Sequence, residues 1–195
     1  MNILAVSDVE SKAYWDHYDR NRIERADLIL SCGDLDPAYL SFLVTCSNLP
    51  LLYVHGNHDD RYAHEPEGCI CVEDRIHVHE GVRILGLGGC IEYRSGKYLY
   101  TEKAMRKRIR HLRRQLHKYG GFDILLTHAP ARGLGDLEDF VHRGFECFLP
   151  LLETYRPKYM VHGHIHMNYG TNIPRRITHG NTVIINAYEK YEWDY

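Results

Sequence analysis

The chain lacks the features that would place it in or across a membrane. No apolar run approaches the roughly 20 residues that a transmembrane helix needs. The first eight residues carry no basic segment, and Asp8 ends their apolar run, so they predict a β-strand and not a signal peptide. A net charge of −2, with histidines neutral, gives no general attraction to lipid or nucleic acid. We therefore expect a cytoplasmic protein without a membrane partner, and nucleic acid is a disfavoured partner.

Cysteine spacing excludes a zinc-finger or disulfide framework. Cys69 and Cys71 are one residue apart, whereas cysteine pairs of zinc sites enclose two to four residues, and no second pair completes a site. The six cysteines are expected to be free thiols that pack as small apolar residues. Repeats, low-complexity tracts and Pro- or Ser-rich linkers are also missing, so residues 1–195 are predicted to form one domain.

Histidine is abundant, with fourteen residues, and histidine is the usual nitrogen ligand for metals of intermediate softness. Five apolar, strand-like runs each end at residue types that bind metals. The residues at these ends are Asp8, Gly33-Asp34, Gly56-Asn57-His58, His128 and Gly163-His164-Ile165-His166. Because the carboxyl ends of parallel strands meet at one edge of an α/β sheet, the pattern predicts a metal site at that edge.

The remaining patterns alternate between strand and helix, which indicates an α/β protein. Helices are predicted near 11–24, 36–48, 101–118 and 144–155. Further strands are predicted at Ile76–His79 and Val82–Gly88, as a hairpin, and at Tyr169–Ile173 and Thr182–Asn186. The aromatic, charged tail from Tyr188 to Tyr195 is compatible with packing on the body or with contacts to other molecules.

In this order, the motifs resemble the signature of the calcineurin-like metallophosphoesterase superfamily: D-x-H, G-D, G-N-H-[DE], a lone His, and G-H-x-H. The matching segments are Asp8-Val9-Glu10, Gly33-Asp34, Gly56-Asn57-His58-Asp59, His128 and Gly163-His164-Ile165-His166. The resemblance is to small, cap-less members and implies a four-layer α/β/β/α sandwich of two mixed sheets flanked by helices. It also implies hydrolysis of a phosphate ester, as a phosphodiesterase or phosphatase, by a dinuclear centre with a metal-bound hydroxide nucleophile.

The same resemblance implies a role for each residue. Asp34 would bridge two divalent ions, since a carboxylate can span ions about 3.5–4 Å apart. The ligands of the first ion would include Asp8 and His166, and those of the second would be Asn57, His128 and His164. His58 would contact the phosphate or the leaving group, with Asp59 orienting its ring.

Glu10 departs from the pattern, which has histidine at that position. Glu10 can ligate the first ion through oxygen, act from outside the ligand sphere and leave the first site weak, or mark a first site that is lost. Because the other ligand positions are intact, we favour the first interpretation. An oxygen ligand favours harder ions, so Mn²⁺ or Fe is expected rather than Zn²⁺.

Two arginines adjoin these motifs and are candidate substrate contacts. Arg61 and Arg132 could bind phosphate through bidentate hydrogen bonds, and each is equally compatible with a solvated loop. His142 and Arg143 are weaker candidates. The predicted helix 101–118 combines an apolar stripe with many basic residues, which favours a solvated amphipathic helix over a patch for an anionic partner.

Two classes of function remain open at this stage. The first is an enzyme that acts on a small phosphate ester, because the short chain leaves little room for a cap or a nucleic-acid-binding domain. The alternative is a binding scaffold of the same fold with weak or no catalysis, which Glu10 keeps open. A scaffold needs no acid beside the metal ions, so His58 followed by Asp59 favours the enzyme. The sequence leaves the oligomeric state open.

Overall fold

The computed structural model describes residues 1–15 and 25–195. The strands in these ranges are β1 (Asn2–Ser7), β2 (Leu28–Ser31), β3 (Leu51–Tyr53), β4 (Ile70–Cys71), β5 (Arg75–His79), β6 (Val82–Leu87), β7 (Cys90–Ile91), β8 (Leu99–Tyr100), β9 (Ile124–Thr127), β10 (Tyr159–His162), β11 (Arg176–His179), β12 (Thr182–Asn186) and β13 (Glu189–Asp194).

Two large sheets contain most of these strands. The first has the order β13-β1-β2-β3-β4 and the second β11-β12-β10-β9-β6-β5, while β7 and β8 form a separate pair. Both large sheets are mixed: β1 to β4 run parallel with β13 antiparallel at the edge, and β6, β9, β10 and β12 run parallel between antiparallel edges. The expected pair of mixed sheets is confirmed.

The sheets face each other and carry helices on their outer faces. Along β1, Ile3 and Ala5 belong to the apolar cluster between the sheets, whereas Leu4 and Val6 belong to the cluster outside the first sheet. This alternation follows from the two-residue period of a strand whose faces are both buried. A third cluster joins the second sheet to helices through residues such as Met105. The four-layer sandwich is therefore confirmed.

The helices in the described ranges are Lys12–Trp15, Pro37–Ser47, Glu102–His111, Arg113–Tyr119 and Phe148–Tyr155. The prediction for 36–48 is confirmed: Asp36 caps this helix by accepting from the Ala38 amide (2.7 Å), and proline occupies its first position. The helix predicted for 144–155 begins later, at Phe148. Of the helix predicted for 11–24, residues 16–24 lie outside the described residues.

The prediction of one helix over 101–118 was wrong, because the segment divides at Leu112. The Leu112 amide donates to the Ile109 carbonyl oxygen (3.1 Å), three residues back, which tightens the turn between the two helices. Met105, Leu112 and Leu116 are buried, as the apolar stripe predicts. Arg108 departs from the prediction that the basic residues of this segment are solvated, because its guanidinium is largely buried against Glu73.

The hairpin predicted from Ile76 to Gly88 is confirmed as β5 and β6, but the strand predicted at Tyr169–Ile173 was wrong. Tyr169 instead lies in a turn, and its amide donates to the His166 carbonyl oxygen (3.1 Å). The strand partner of β12 is β11, which the turn at Gly180, with φ of 57°, joins to it as a hairpin. The turn residues, and not the weak apolar pattern, determine the position of this strand.

The C-terminal tail packs on the body as an edge strand. β13 pairs antiparallel with β1 from Asn2↔Asp194 to Ser7↔Glu189. Trp193 enters the apolar cluster between the sheets. Of the two alternatives that the sequence left open, the structure shows packing.

The structure bears on membrane-spanning helices and on the cysteines. Within residues 1–15 and 25–195, no helix is both long and apolar enough to cross a bilayer. All six cysteines lie in these ranges, and no disulfide joins any two of them; Cys32, Cys90 and Cys147 are buried.

An ion pair between the start of β6 and the segment before β9 gives a pH-dependent contribution to stability. The Arg83 guanidinium donates to Asp123 (Nε–Oδ2 2.8 Å) and to the Tyr119 carbonyl oxygen (2.8 Å). Its hydrogen bond is the main cause that holds the pKa of Asp123 below the ordinary value, against a smaller effect of burial. This stabilisation is present above the unfolded-state pKa of about 3.9 and is lost as pH falls through the lower, folded-state pKa.

We expect Asp123→Asn to lower the free energy of unfolding by about 1 kcal/mol at neutral pH. This is less than the roughly 1.5–3 kcal/mol of a hydrogen bond to a charged group, because solvent screens the partly exposed pair. Urea titrations at neutral and acidic pH would measure the difference, which should shrink below about pH 4. Asp60→Asn is the control, because Asp60 lies 3.9 Å from Arg94 and makes a looser pair. A difference that stays constant down to low pH would contradict the assignment.

Candidate functional site

The predicted ligand residues converge at one edge of the sandwich because they follow parallel strands. Asp8 follows β1, Asp34 follows β2 and Asn57 follows β3 in the first sheet, while His128 follows β9 and His164 follows β10 in the second. The ligand atoms of Asp8, Asp34 and His128 lie within 4.8 Å of one another. Strand-end placement therefore brings carboxylate, amide and imidazole groups from both sheets into one site.

Three of these residues adopt left-handed backbone conformations. The φ angles of Asp8, Asp34 and His164 are 65°, 59° and 66°. Each such residue costs about 1–3 kcal/mol when it carries a Cβ atom, and it persists only where the surroundings hold it in place. At these three positions the positive φ takes the backbone out of the extended conformation of the preceding strand.

Two glycines allow the strand ends to approach the carboxylates closely. A Cβ atom on Gly56 would lie 2.0 Å from Asp34 Oδ1, and one on Gly163 would lie 2.7 Å from Asp8 Oδ2. These separations are far shorter than any van der Waals contact. Glycine at these positions therefore makes room for the carboxylates of the two candidate ligands.

His128 is fully buried at the centre of the site. Its Nδ1 donates to the Cys32 carbonyl oxygen (2.8 Å), while Nε2 faces Asn57 Oδ1 (2.9 Å) and Asp34 Oδ2 (3.4 Å). Burial lowers the pKa of His128, but the charges of Asp34 and Asp8 outweigh it and raise the pKa above its ordinary value. The side-chain oxygens of two residues thus converge on one ring nitrogen, an arrangement that requires positive charge among them.

His164 and His166 both contact Asp8, in different ways. The His164 amide donates to both carboxylate oxygens of Asp8 (3.0 Å each), and its ring Nε2 lies 3.0 Å from the Val141 carbonyl oxygen. His166 Nε2 lies 3.7 Å from Asp8 Oδ1. Burial raises the pKa of Asp8, but His166 and His128 together lower it below its ordinary value, so the carboxylate stays ionised. Burial also lowers the pKa of His164 to about 3, so its ring is neutral.

His58 is the exposed member of the site. More than half of its side chain is open to solvent (57%), its Nε2 lies 4.0 Å from Asp34 Oδ2, and its amide donates to Asp34 Oδ1 (2.8 Å). The predicted role of Asp59 needs correction. Its carboxylate accepts from the amides of Gly56 (2.7 Å) and Asp34 (3.0 Å), and no hydrogen bond joins it to the His58 ring within the described residues. Asp59 therefore joins two ligand-bearing loops instead of orienting an imidazole.

Glu10 lies outside the group formed by Asp8, Asp34 and His128. Its charge acts on the buried Tyr39 hydroxyl, whose pKa is raised mainly by burial and further by Glu10 and Glu189. Ligation of a metal ion by Glu10 stays a prediction.

The two candidate arginines have different surroundings. Arg132 is engaged by carboxylates, with Asp136 Oδ2 at 2.7 Å and Glu138 Oε2 at 3.0 Å. Arg61 lines a cavity of about 440 Å³ together with Asp34 and His58. The cavity beside the site therefore favours Arg61, and not Arg132, as the residue within reach of a bound anion.

Sequence reasoning missed several residues that border the site. Val141 contributes only its backbone carbonyl, for which no sequence signal exists. Tyr169 stacks on the His166 ring, with centroids 4.6 Å apart and planes 8° from parallel. Tyr93 accepts a hydrogen bond from Asn57 Nδ2 (3.2 Å). The position of Tyr93 could have been predicted, because it follows β6 in the chain. β6 runs parallel to β9, so its carboxyl end lies at the same edge of the sheet as His128.

Solved structures share this fold. One crystal structure has a TM-score of 0.70 over 98% of this chain and 93% of its own, at 13% identity. The protein TT1561 of Thermus thermophilus gives 0.61 over 96% of this chain and 89% of its own, at 16% identity. GAP50, described as the anchor in the inner membrane complex of Plasmodium, gives 0.54 over 95% and 70%, at 15% identity. At these identities the likeness concerns the fold alone.

Sequence comparison identifies the family. The UPF0046 protein T07D4.2 of Caenorhabditis elegans is 41% identical over 69 residues, which are 34% of this chain and 16% of that protein. The chain thus matches only a small part of that relative's length. A calcineurin-like phosphoesterase superfamily domain matches residues 1–187, nearly the whole chain. The chain belongs to the calcineurin-like phosphoesterase superfamily.

Proposed function

We propose that the protein hydrolyses a small phosphate ester with the help of two divalent metal ions. The observation that carries this proposal is the convergence of Asp34 Oδ2 and Asn57 Oδ1 on His128 Nε2, at 3.4 and 2.9 Å. Buried oxygen and nitrogen atoms that direct lone pairs at one another this closely need a positive charge between them. A divalent ion beside His128 would supply that charge.

The bonding of two imidazoles supports the fit to metal. Metal-binding histidines usually use one ring nitrogen for the ion and tie the other to a backbone carbonyl or carboxylate. His128 is tied to the Cys32 carbonyl oxygen through Nδ1, and His164 is tied to the Val141 carbonyl oxygen through Nε2. Each ring is therefore held in place by one nitrogen and keeps the other as a ligand.

Asn57, His128 and His164 would hold one ion, and Asp8 and His166, with Glu10, the other. Asp34 would be shared between the two ions. The chemistry that such ions supply when bound is acidification of an attacking water and neutralisation of charge on the phosphoryl oxygens.

Residues outside the ligand set would position the substrate. His58 is exposed, lies beside Asp34 and borders the cavity of about 440 Å³, so its ring can reach a phosphoryl or leaving-group oxygen. An imidazole there can donate a proton to the departing alkoxide. Arg61, in the same cavity, would bind a non-bridging phosphate oxygen. The size of the cavity suits a small ester.

A panel assay tests this proposal. Protein stripped of metal would be supplied with Mn²⁺, Fe²⁺ or Zn²⁺ and assayed on bis-nitrophenyl and mono-nitrophenyl phosphate. We expect activity to return with Mn²⁺ or Fe²⁺ more fully than with Zn²⁺, and the ratio of the two substrates to separate diesterase from phosphatase. Absence of metal-dependent turnover on both substrates would contradict the proposal.

One observation favours the alternative of a binding scaffold. Glu10 stands at the position where the family pattern has histidine. A solved neighbour of the same fold, GAP50, is described as an anchor. A scaffold would show weak or no metal-dependent turnover in the panel assay, so the same measurements separate the two functions.

The ligand role of Glu10 can be tested by changing its donor atom. If Glu10 ligates the first ion, Glu10→Gln should weaken that site and leave the second intact. Glu10→His should shift the preference of the first site from Mn²⁺ toward Zn²⁺, because imidazole suits the softer ion. Calorimetric titration with each ion measures both effects. Glu189→Gln is the matched control, since Glu189 is the other carboxylate that acts on Tyr39. Identical titrations for all variants would show that Glu10 is not a ligand.

A further inference from the structure

The side-chain amide of Asn57 can serve as a metal ligand in only one orientation. Its oxygen has lone pairs to offer an ion, whereas its nitrogen carries two hydrogens and has none. Asn57 is nearly fully buried, and its Oδ1 points to the centre of the site, 2.9 Å from His128 Nε2. A rotation of the amide by half a turn would place an N–H₂ group where the ion would lie.

Tyr93 meets the other end of this amide. Its hydroxyl oxygen accepts from Asn57 Nδ2 at 3.2 Å, so the donor end of the amide has a partner away from the site. Arg94 Nε donates to the same hydroxyl oxygen at 3.4 Å. Because a hydroxyl oxygen offers two lone pairs, these two donors use both of them. The Tyr93 hydroxyl therefore acts as an acceptor here, and the N–H₂ end of the amide is the end that fits beside it.

Tyr93 and its neighbours contact the loop that carries Asn57 at several points. Tyr93 binds Asn57, and Arg94 lies 3.9 Å from the Asp60 carboxylate. Just before β7, the Gly89 amide donates to the His55 carbonyl oxygen (2.7 Å). The segment after β6 thus holds this loop at both ends as well as at the ligand itself.

We propose that Tyr93 is a positioning residue that keeps the oxygen of Asn57 turned toward the second metal ion. This inference rests on the proposed function, because it gives Asn57 a ligand role. Partners behind the ligands of a metal site usually set the affinity of the site, and their loss weakens binding by about 10–100-fold. Tyr93→Phe removes a single oxygen atom and leaves the ring in place.

The test is a calorimetric titration of the metal-free full chain with Mn²⁺, together with electron paramagnetic resonance of the loaded protein. Asn57→Ala identifies which of the two binding steps belongs to the ion that Asn57 would hold. For Tyr93→Phe we expect that step to lose about 10–100-fold in affinity while the other step is unchanged. The signal of the coupled pair of Mn²⁺ ions should be lost at stoichiometric metal and recovered in excess. Tyr100→Phe is the control, since the Tyr100 ring lies against the Arg108 guanidinium, 4.4 Å from the ring centroid.

Three results would overturn the inference, and they are distinguishable. If the unmodified chain binds two ions and Tyr93→Phe binds both with the same affinities, the assignment of Tyr93 fails while the proposed function stands. If the unmodified chain binds fewer than two ions, the proposed function fails and the inference fails with it. A thermal melt of the metal-free variant tests for a merely structural role. If Tyr93→Phe lowers the stability of the protein and weakens both binding steps equally, the assignment of Tyr93 as a positioning residue fails.

Discussion

Replacing Asp34 with asparagine is expected to reduce phosphoesterase activity by about 10³-fold or more. Asp34 is the carboxylate that both proposed ions would share, and its Oδ2 lies 3.4 Å from His128 Nε2. Metal ions contribute several kcal/mol of charge stabilisation to such reactions, and each 1.4 kcal/mol is about tenfold in rate. Asparagine tolerates the left-handed backbone at this position, so the variant removes a charge with little added strain. Metal content by elemental analysis and kcat/KM measure the effect.

Asp36→Asn is the matched control for this variant. Asp36 lies two residues away, borders the same cavity and loses the same charge on substitution. It caps the helix Pro37–Ser47, and asparagine caps helices as well as aspartate does, so stability should change little. We expect Asp36→Asn to keep both metal ions and most of the activity. Full metal content and turnover in Asp34→Asn would exclude a bridging role for Asp34.

Replacing His58 with alanine is expected to lower turnover by about 10²–10⁴-fold, the usual range for a positioned acid. His58 lies beside Asp34 but is largely exposed, so it is placed to contact substrate and not to hold an ion. Metal content should therefore hardly change. The loss should be greater for an alkyl phosphate than for a nitrophenyl phosphate, because nitrophenolate departs without needing a proton. Steady-state kinetics on both esters measure this ratio.

His64→Ala controls for the loss of an imidazole from the same cavity. We expect it to retain activity on both esters, since no contact joins His64 to Asp34 among the described residues. An equal loss for both leaving groups in His58→Ala would limit His58 to binding the phosphoryl group. Loss of bound metal in the same variant would instead make His58 a ligand.

The sequence predicts the fold, and it predicts that the candidate ligand residues lie at one edge of the sandwich, because both depend on local signals. Each predicted ligand follows a short apolar run, and parallel strands bring such ends together whatever the details of packing. The strand at Tyr169–Ile173 failed for the opposite reason: its apolar pattern was weak, and the turn at Gly180 determined the hairpin. The break at Leu112 depends on how two helices pack on the second sheet, which no local pattern encodes.

The residues that support the ligands were harder to predict than the ligands themselves. Asp59 looked like a partner of the neighbouring ring, yet it binds the amides of Gly56 and Asp34, one of which lies 25 residues away in the chain. Tyr93 and Val141 act on ligands through contacts that only the folded chain creates. Residue type and spacing predict a candidate ligand, whereas a supporting residue is found only from its contacts in the folded chain.

The pairing of β13 with β1 has a consequence for how the site is assembled during synthesis. β1 carries Asp8 at its end, and its outer edge is completed by residues 189–194, whose pairing spans nearly the whole described chain. Contacts of such large sequence separation form late, because closing a long loop is entropically costly. During synthesis, β1 leaves the ribosome long before β13 does, so the sheet that carries Asp8 stays incomplete until β13 has emerged. The metal centre should therefore form only after translation of the domain is finished.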